Sequence, residues 1–293
     1  MGFKGFLFLI FFVGSITFQA QAKVSCMNAF AKNTIELTHG EFHTVTVSGN
    51  KRDLLIFQPK RPSSFPAPVM IYFHGTNSPV ELSRPLNADY GLAYENSYIQ
   101  SLTDAGYIVI APTANRIVPF YIGFPVVAWE ANISPYSNHF ERGRDYQLAH
   151  YLLKNLEDFS DVPVDRNNIF LSGFSSGGYM SSRLAQDARI ASQIRGIVVH
   201  SASYGECLAS QCYVPANLPA HHPPTLLVAN KDDSIVPFYT VEMYQARLRD
   251  NNITQHSVFS NEGDHAWTQN HGAQVVDWLN KRLNKRAKIR STL

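Results

Sequence analysis

Several short runs of this chain are apolar without interruption, and they recur along most of its length. They are Leu54-Leu55-Ile56-Phe57, Val69-Met70-Ile71-Tyr72-Phe73, Tyr107-Ile108-Val109-Ile110, Ile169-Phe170-Leu171, Ile197-Val198-Val199 and Thr225-Leu226-Leu227-Val228. A strand with one wet face alternates apolar and polar residues. A strand buried on both faces, as in a parallel sheet, reads as a continuous apolar run. Helical spacing separates several of these runs. Asp145 to Leu156 places Tyr146, Leu148, Tyr151, Leu152 and Leu156 near one helix face, and Tyr179 to Ala188, Val241 to Leu248 and Ala273 to Leu283 follow similar patterns. Strands alternating with helices predict an α/β fold with a mostly parallel central sheet and helices on both faces. Phe42 to Val47 reads as an antiparallel edge strand. The turn-rich stretch from Arg61 to Pro68 is a connector and not a domain boundary, because apolar runs continue on both sides of it. The segment from Pro112 to Phe140 is long, aromatic and without clear period. A connection of that length inside a compact domain is usually functional, as a wall or a lid.

The chain has 293 residues, 45% of them hydrophobic, which suits one sizeable core. A formal charge of +2 builds no large field, so a nucleic-acid partner is not expected. Near the N-terminus, Lys4 precedes a nearly wholly apolar stretch from Gly5 to Phe18, too short for a comfortable membrane span. Ala20-Gln21-Ala22 then fits a small-x-small cleavage site. This predicts a signal peptide over residues 1–22, a single catalytic domain over 23–293, and a secreted or periplasmic monomer with no stable membrane span. An uncleaved anchor is the alternative. A lipoprotein fits less well, since Lys23-Val24-Ser25 before Cys26 is not the apolar-small-small run such a signal needs. Export implies an oxidising compartment in which disulfides persist. The three cysteines Cys26, Cys207 and Cys212 allow one bridge within the chain, and sequence does not fix which. Cys207–Cys212 is favoured, leaving Cys26 free. The cysteines lack metal-ligand spacing and His221-His222 has no partner at ligand spacing, so neither metal nor cofactor is expected. The basic run from Lys281 to Arg290 reads as a solvated helix end, with an acidic surface as the alternative partner.

The run at Ile169 leads into Gly173-Phe174-Ser175-Ser176-Gly177, and a helical pattern follows. A strand, then G-x-S-x-G, then a helix is the context in which this pentapeptide lifts a serine off the strand end on a strained turn. The helix N-terminus behind it favours negative charge. A serine is a poor nucleophile without a base. In this architecture an acid and then a histidine follow the serine in sequence. The strand ending at Val228 is followed by Asp232 and Asp233. The carboxyl edge of such a sheet is where ligands bind. Asp233, just before the apolar return Ile235-Val236-Pro237, is the preferred acid, and Asp232 is the alternative. His265 lies in a glycine-containing loop between a strand-like run and the last helix, whereas His256 belongs to the strand and His271 to the helix start. An oxyanion hole needs two backbone donors: Ser176 N–H after the nucleophile, and Thr76 N–H in the loop His74-Gly75-Thr76-Asn77 after an early strand. His74 is expected to support that loop rather than to move a proton. Trp267, Trp129, Tyr121 and Phe124 are candidates for walls of the pocket, with core packing as the alternative for each.

Taken together, "FHG", "DRNNIFLSGFSSGGYMSSRLA", "DDSIVP" and "GDHAWT" resemble an α/β-hydrolase. More narrowly they are similar to the secreted polyhydroxybutyrate depolymerase, feruloyl esterase and acetylxylan esterase group. The matching features are Asp165-Arg166 leading into the strand, Gly173 to Met180, Asp233 to Pro237, and His265 with Trp267. The resemblance spans about residues 53 to 283. It implies a serine carboxylic ester hydrolase working through Ser175, Asp233 and His265 and an acyl-enzyme, with a small-molecule or polymer-derived ester as partner. A serine peptidase, an acyltransferase and a non-catalytic binding protein on the same fold are the alternatives. One departure stands out. Where that group usually has a glycine three residues before the acid, this chain has Asn230.

Overall fold

The computed structural model describes residues 40–60, 65–78, 89–118, 123–208, 210–261 and 263–283. These residues fall within one compact unit, Leu37–Leu293. The expected signal peptide, Cys26, Tyr121 and the end of the basic run lie outside the described residues.

Eight strands form the central sheet. In chain order they are β1 (Glu41–Val47), β2 (Asn50–Phe57), β3 (Ala67–Phe73), β4 (Ile108–Pro112), β7 (Val164–Phe174), β8 (Gly196–His200), β9 (Thr225–Asn230) and β10 (Gln255–Ser260). Between β4 and β7 a separate two-stranded ribbon joins β5 (Arg116–Ile117) and β6 (Val126–Val127). The strand order in the large sheet is β1-β2-β4-β3-β7-β8-β9-β10. Pairing is antiparallel at β1/β2 and β2/β4 and parallel from β4 through β10. The edge strand read at Phe42 to Val47 is β1. Each continuous apolar run lies in a sheet strand, except that Tyr107 immediately precedes β4, and β4, β8 and β9 are buried at every residue. That burial on both faces is why these runs do not alternate.

The described helices of the α type are α1 (Leu92–Asp104), α2 (Arg144–Lys154), α3 (Ser176–Leu184), α4 (Ala188–Ala191), α5 (Phe238–Asp250) and α6 (His271–Arg282). Two cores lie on opposite faces of the sheet. One packs Ile71, Phe73, Leu171 and Val199 with Leu148, Leu152, Met180, Tyr244 and Trp129. The other packs Met70, Tyr72, Phe170 and Val198 with Tyr98, Leu102, Trp267, Trp278 and Leu279. Adjacent residues of one strand, such as Met70 and Ile71, therefore point into different layers.

Two local differences from the sequence expectation have clear causes. The pattern read from Tyr179 to Ala188 is two helices, because the Asp187 side chain accepts from Arg189 N–H at 2.8 Å and caps a new one. Helix α1 carries Glu95, Asn96 and Thr103 among its buried residues, and those polar groups break the apolar period that would mark it.

Candidate active site

The parallel register aligns the carboxyl ends of the central strands. Phe73 of β3 pairs with Gly173 of β7, Phe174 of β7 with His200 of β8, and Ser260 of β10 with Asn230 of β9. The loops leaving these ends meet at one place. Ser175 follows β7 and is the N-cap of α3, with φ 53° and ψ −119°. A non-glycine residue with positive φ is strained and persists only where its surroundings hold it. Here Ser175 N–H donates to His200 O at 2.9 Å, and Tyr179 N–H donates to Ser175 O at 3.1 Å. The two motif glycines let the chain pass this closely. A Cβ at Gly173 would sit 2.1 Å from Gly177 O, and a Cβ at Gly177 would sit 1.9 Å from Phe73 O.

His265 Nε2 lies 2.8 Å from Ser175 Oγ. Its Nδ1 lies 2.8 Å from Asp233 Oδ2 and 3.0 Å from Oδ1. An ionised carboxylate only accepts, so Nδ1 carries the proton and Nε2 is free to accept from the serine hydroxyl. Asp233 Oδ1 also accepts from the N–H groups of Ile235, at 2.9 Å, and Val236, at 2.7 Å. Both Asp233 and His265 are buried. The neighbouring Asp232 faces elsewhere and accepts from Asp264 N–H at 3.2 Å. The geometry therefore separates the two aspartates that sequence left open.

The loop after β3 lies alongside. Thr76 lines the same cleft as Ser175. Ser176 is the first residue of α3, where an N–H has no acceptor within its own helix. His74 is fully buried, and burial lowers its pKa to about 4. Its Nδ1 donates to Gly75 O at 2.5 Å, and its Nε2 accepts from Ala114 N–H at 2.9 Å. A neutral imidazole with both nitrogens engaged is a brace for this loop.

The described part of the long segment after β4 is fastened from several sides, and none of it lines the cleft around Ser175. Val127 O accepts from Asn77 N–H, and Val127 N–H donates to Asn77 Oδ1, both at 2.8 Å. Trp129 N–H donates to Ser176 Oγ at 3.1 Å. Glu130 N–H donates to Asp145 Oδ2 at 2.7 Å, and that buried carboxylate also holds Arg52 at 2.8 Å. Cys207 and Cys212 form a disulfide, and Asn132 Nδ2 donates to Cys207 O at 2.9 Å.

The pocket-wall expectation for the tryptophans is corrected here. Trp129 is fully buried, with its ring edge-on to Phe73 at 4.9 Å and its Nε1 donating to His74 O at 2.8 Å. Trp267 is buried too, stacked on Tyr98 at 4.9 Å and edge-on to His200 at 4.1 Å. Both rings are large enough to be worth more in the core than at a wet wall. Phe124 is exposed and does not line the cleft. The cleft, about 480 Å³, is instead lined by Tyr90, Leu92, Phe174 and Ile235 with Thr76, Asn77 and Ser78 around Ser175 and His265. Phe174 and Ile235 lay inside the motifs already singled out. Tyr90 left no sequence signal. It reaches the cleft because its carbonyl accepts from Trp267 N–H at 3.0 Å, which joins it to the histidine loop.

Comparison with known proteins agrees with the fold. Residues 110–283 match the phospholipase/carboxylesterase family. The poly(3-hydroxyoctanoate) depolymerase of Pseudomonas fluorescens is 31% identical over 214 residues, covering 73% of this chain and 73% of that protein. Among solved structures, the Bacillus cereus carboxylesterase is similar with a TM-score of 0.54 at 17% identity, over 87% of this chain and 99% of that one. The Pyrococcus horikoshii acylaminoacyl peptidase is similar with a TM-score of 0.56 at 13% identity, over 87% of this chain. This chain spans only 44% of that peptidase's length. At such identities the structural likeness is one of fold.

Proposed function

The chain belongs to the phospholipase/carboxylesterase family of α/β-hydrolases, and on that premise we propose that it is an exported serine esterase. The observation that carries the reading is His265, set 2.8 Å from both Ser175 Oγ and Asp233 Oδ2 on a strained serine elbow. Ser175 Oγ attacks the ester carbonyl carbon while His265 Nε2 takes the hydroxyl proton. Asp233 keeps His265 in the tautomer that can accept it and stabilises the imidazolium that forms. The N–H groups of Thr76 and Ser176 hold the oxyanion of the tetrahedral intermediate, each such donor being worth about 3 kcal/mol. The intermediate collapses, His265 returns the proton to the departing alkoxide, and an ester of Ser175 remains. Water, deprotonated by His265, then releases the acid and restores the serine.

The cleft walls bear on the substrate. Leu92, Phe174 and Ile235 are apolar, Tyr90 adds an aromatic ring with a hydroxyl, and none of the four carries a charge to bind an ionic group. They suit an ester with an aliphatic acyl or alcohol part. The relative that depolymerises poly(3-hydroxyoctanoate) points the same way, toward esters of medium-chain 3-hydroxy acids and their short oligomers. The Cys207–Cys212 disulfide supports function outside the reducing cytoplasm.

The test is intact mass after exposure to a fluorophosphonate, beside Ser175→Ala. One adduct on the parent and none on the variant is the expected result, followed by hydrolysis of 4-nitrophenyl esters that improves from acetate to octanoate. An adduct that persists in Ser175→Ala overturns the assignment of the nucleophile.

A further inference from the structure

The geometry points to Asn230 as a positioning residue that keeps the His265 loop in register with Asp233, an inference that rests on the triad reading above. Asn230 is the last residue of β9, three residues before Asp233, and its side chain is fully buried. Its Nδ2 donates to Asp264 O at 2.7 Å and to Ala266 O at 2.8 Å. These are the carbonyls on either side of His265. Its Oδ1 accepts from the hydroxyl of Ser260, its partner residue on β10. An amide has two N–H donors on one atom and an acceptor on the other. The reverse orientation would turn Oδ1 onto two carbonyl oxygens, so the surroundings allow one orientation only.

The arrangement joins the two halves of the triad. Asp233 is held from its own loop by Ile235 and Val236 N–H. It does not follow the histidine if the histidine moves. His265 sits on a loop that enters through Asp264, a residue at φ 48°. The Asp264 carboxylate accepts from Ser234 N–H at 2.8 Å. That contact fixes the entry to the loop. Among the described residues, the Asn230 amide is the group that grips the backbone on both sides of His265 from the strand end that also launches the acid. Asn230 touches neither the serine nor the cleft. Its effect passes through the position of the imidazole.

The test uses Asn230→Asp, which keeps the shape and the acceptor, replaces both N–H donors with a carboxylate oxygen and so turns a negative charge onto the Asp264 and Ala266 carbonyls. With the triad distances loosened by a fraction of an ångström, kcat falls by roughly 10- to 100-fold while KM holds within about twofold. The downfield proton resonance of His265 Nδ1–H, bonded to Asp233, shifts upfield or broadens. Far-ultraviolet circular dichroism reports folding, and the fluorophosphonate reaction of the parent and of Ser175→Ala is run alongside. Labelling that does not depend on Ser175 fails the triad reading itself. Labelling that depends on Ser175, with a folded Asn230→Asp whose kcat and Nδ1–H resonance match the parent, overturns only the positioning role. A rise in KM at constant kcat overturns it as well. If Asn230→Asp does not fold, Ser260→Ala carries the test, since it removes only the hydroxyl that orients the amide. A severalfold fall in its kcat at constant KM supports the role, and parental kcat overturns it.

Discussion

At the scale of single residues, position within a hydrogen-bond pattern decides consequence more than residue type does. Asp232 and Asp233 are adjacent carboxylates, yet one accepts from Asp264 N–H while the other faces His265 Nδ1. Asp233→Asn leaves the imidazole without the partner that fixes its tautomer. Esterase kcat is expected to fall about 10⁴-fold, whereas Asp232→Asn is expected to cost less than about tenfold. Steady-state kinetics on one activated ester compares the two, and equal losses would contradict the assignment. Gly177 shows the same dependence on position. A methyl group there would overlap the Phe73 carbonyl, which is backbone and cannot swing aside. Gly177→Ala is therefore expected to yield little folded protein, read by soluble expression and by loss of the fluorophosphonate adduct.

At the scale of elements, the segment after β4 has only the short β5/β6 ribbon as a backbone ladder among its described residues, and it is fixed largely by its ties to the loops around Ser175. Trp129 contributes two of these, one to Ser176 Oγ and one from its ring N–H to His74 O. Trp129→Phe keeps most of the apolar volume and leaves the His74 carbonyl without that donor. The expected loss is about 1–3 kcal/mol, measured as a lower urea midpoint. Esterase activity should fall with it, because the same carbonyl sits in the Gly75–Thr76 turn. The Cys207–Cys212 loop is tied to this segment through Asn132. The bridge closes a short loop, so it removes little freedom from the unfolded chain. Its reduction is expected to cost about 2 kcal/mol, read as a shift in the unfolding midpoint with and without a thiol reductant.

At the scale of the whole molecule, buried titratable groups make stability depend on pH. Burial lowers the pKa of His74, His222 and His271 to about 4 and that of His200 well below its usual value. In the unfolded chain these histidines titrate near 6.5. Between those limits the unfolded state binds more protons than the folded one, so stability is lost as pH falls from about 6.5 through about 4. Glu95, raised to about 7 by burial that outweighs the lowering effect of its hydrogen bond from Tyr72, works in the opposite direction. It is protonated in the fold, and its contribution is lost as pH rises from the usual carboxylate range through about 7. The histidines outnumber it, so Tm is expected to decline on acidification from pH 6.5 to 4.5. A Tm that rises over that interval would show that the carboxyl groups dominate.

The amino-acid sequence by itself determined the strand and helix alternation, because burial on both faces of a parallel sheet writes itself as uninterrupted apolar runs. It also marked Ser175, Asp233 and His265 as the polar residues placed just beyond strand ends, since chain order and loop position are local properties. Helix α1 was not legible, because the polar Glu95 and Asn96 lie on its buried face among partners distant in sequence. The tertiary structure alone decided the rest. It turned Asp233 and not Asp232 toward His265, drew Trp129 and Trp267 into the core, and placed Tyr90 and Ile235 at the cleft. It also set the amide of Asn230 between the two carbonyls beside His265. Each of these depends on which loop ends the strand register brings side by side, and a register is a relation between strands far apart in the chain.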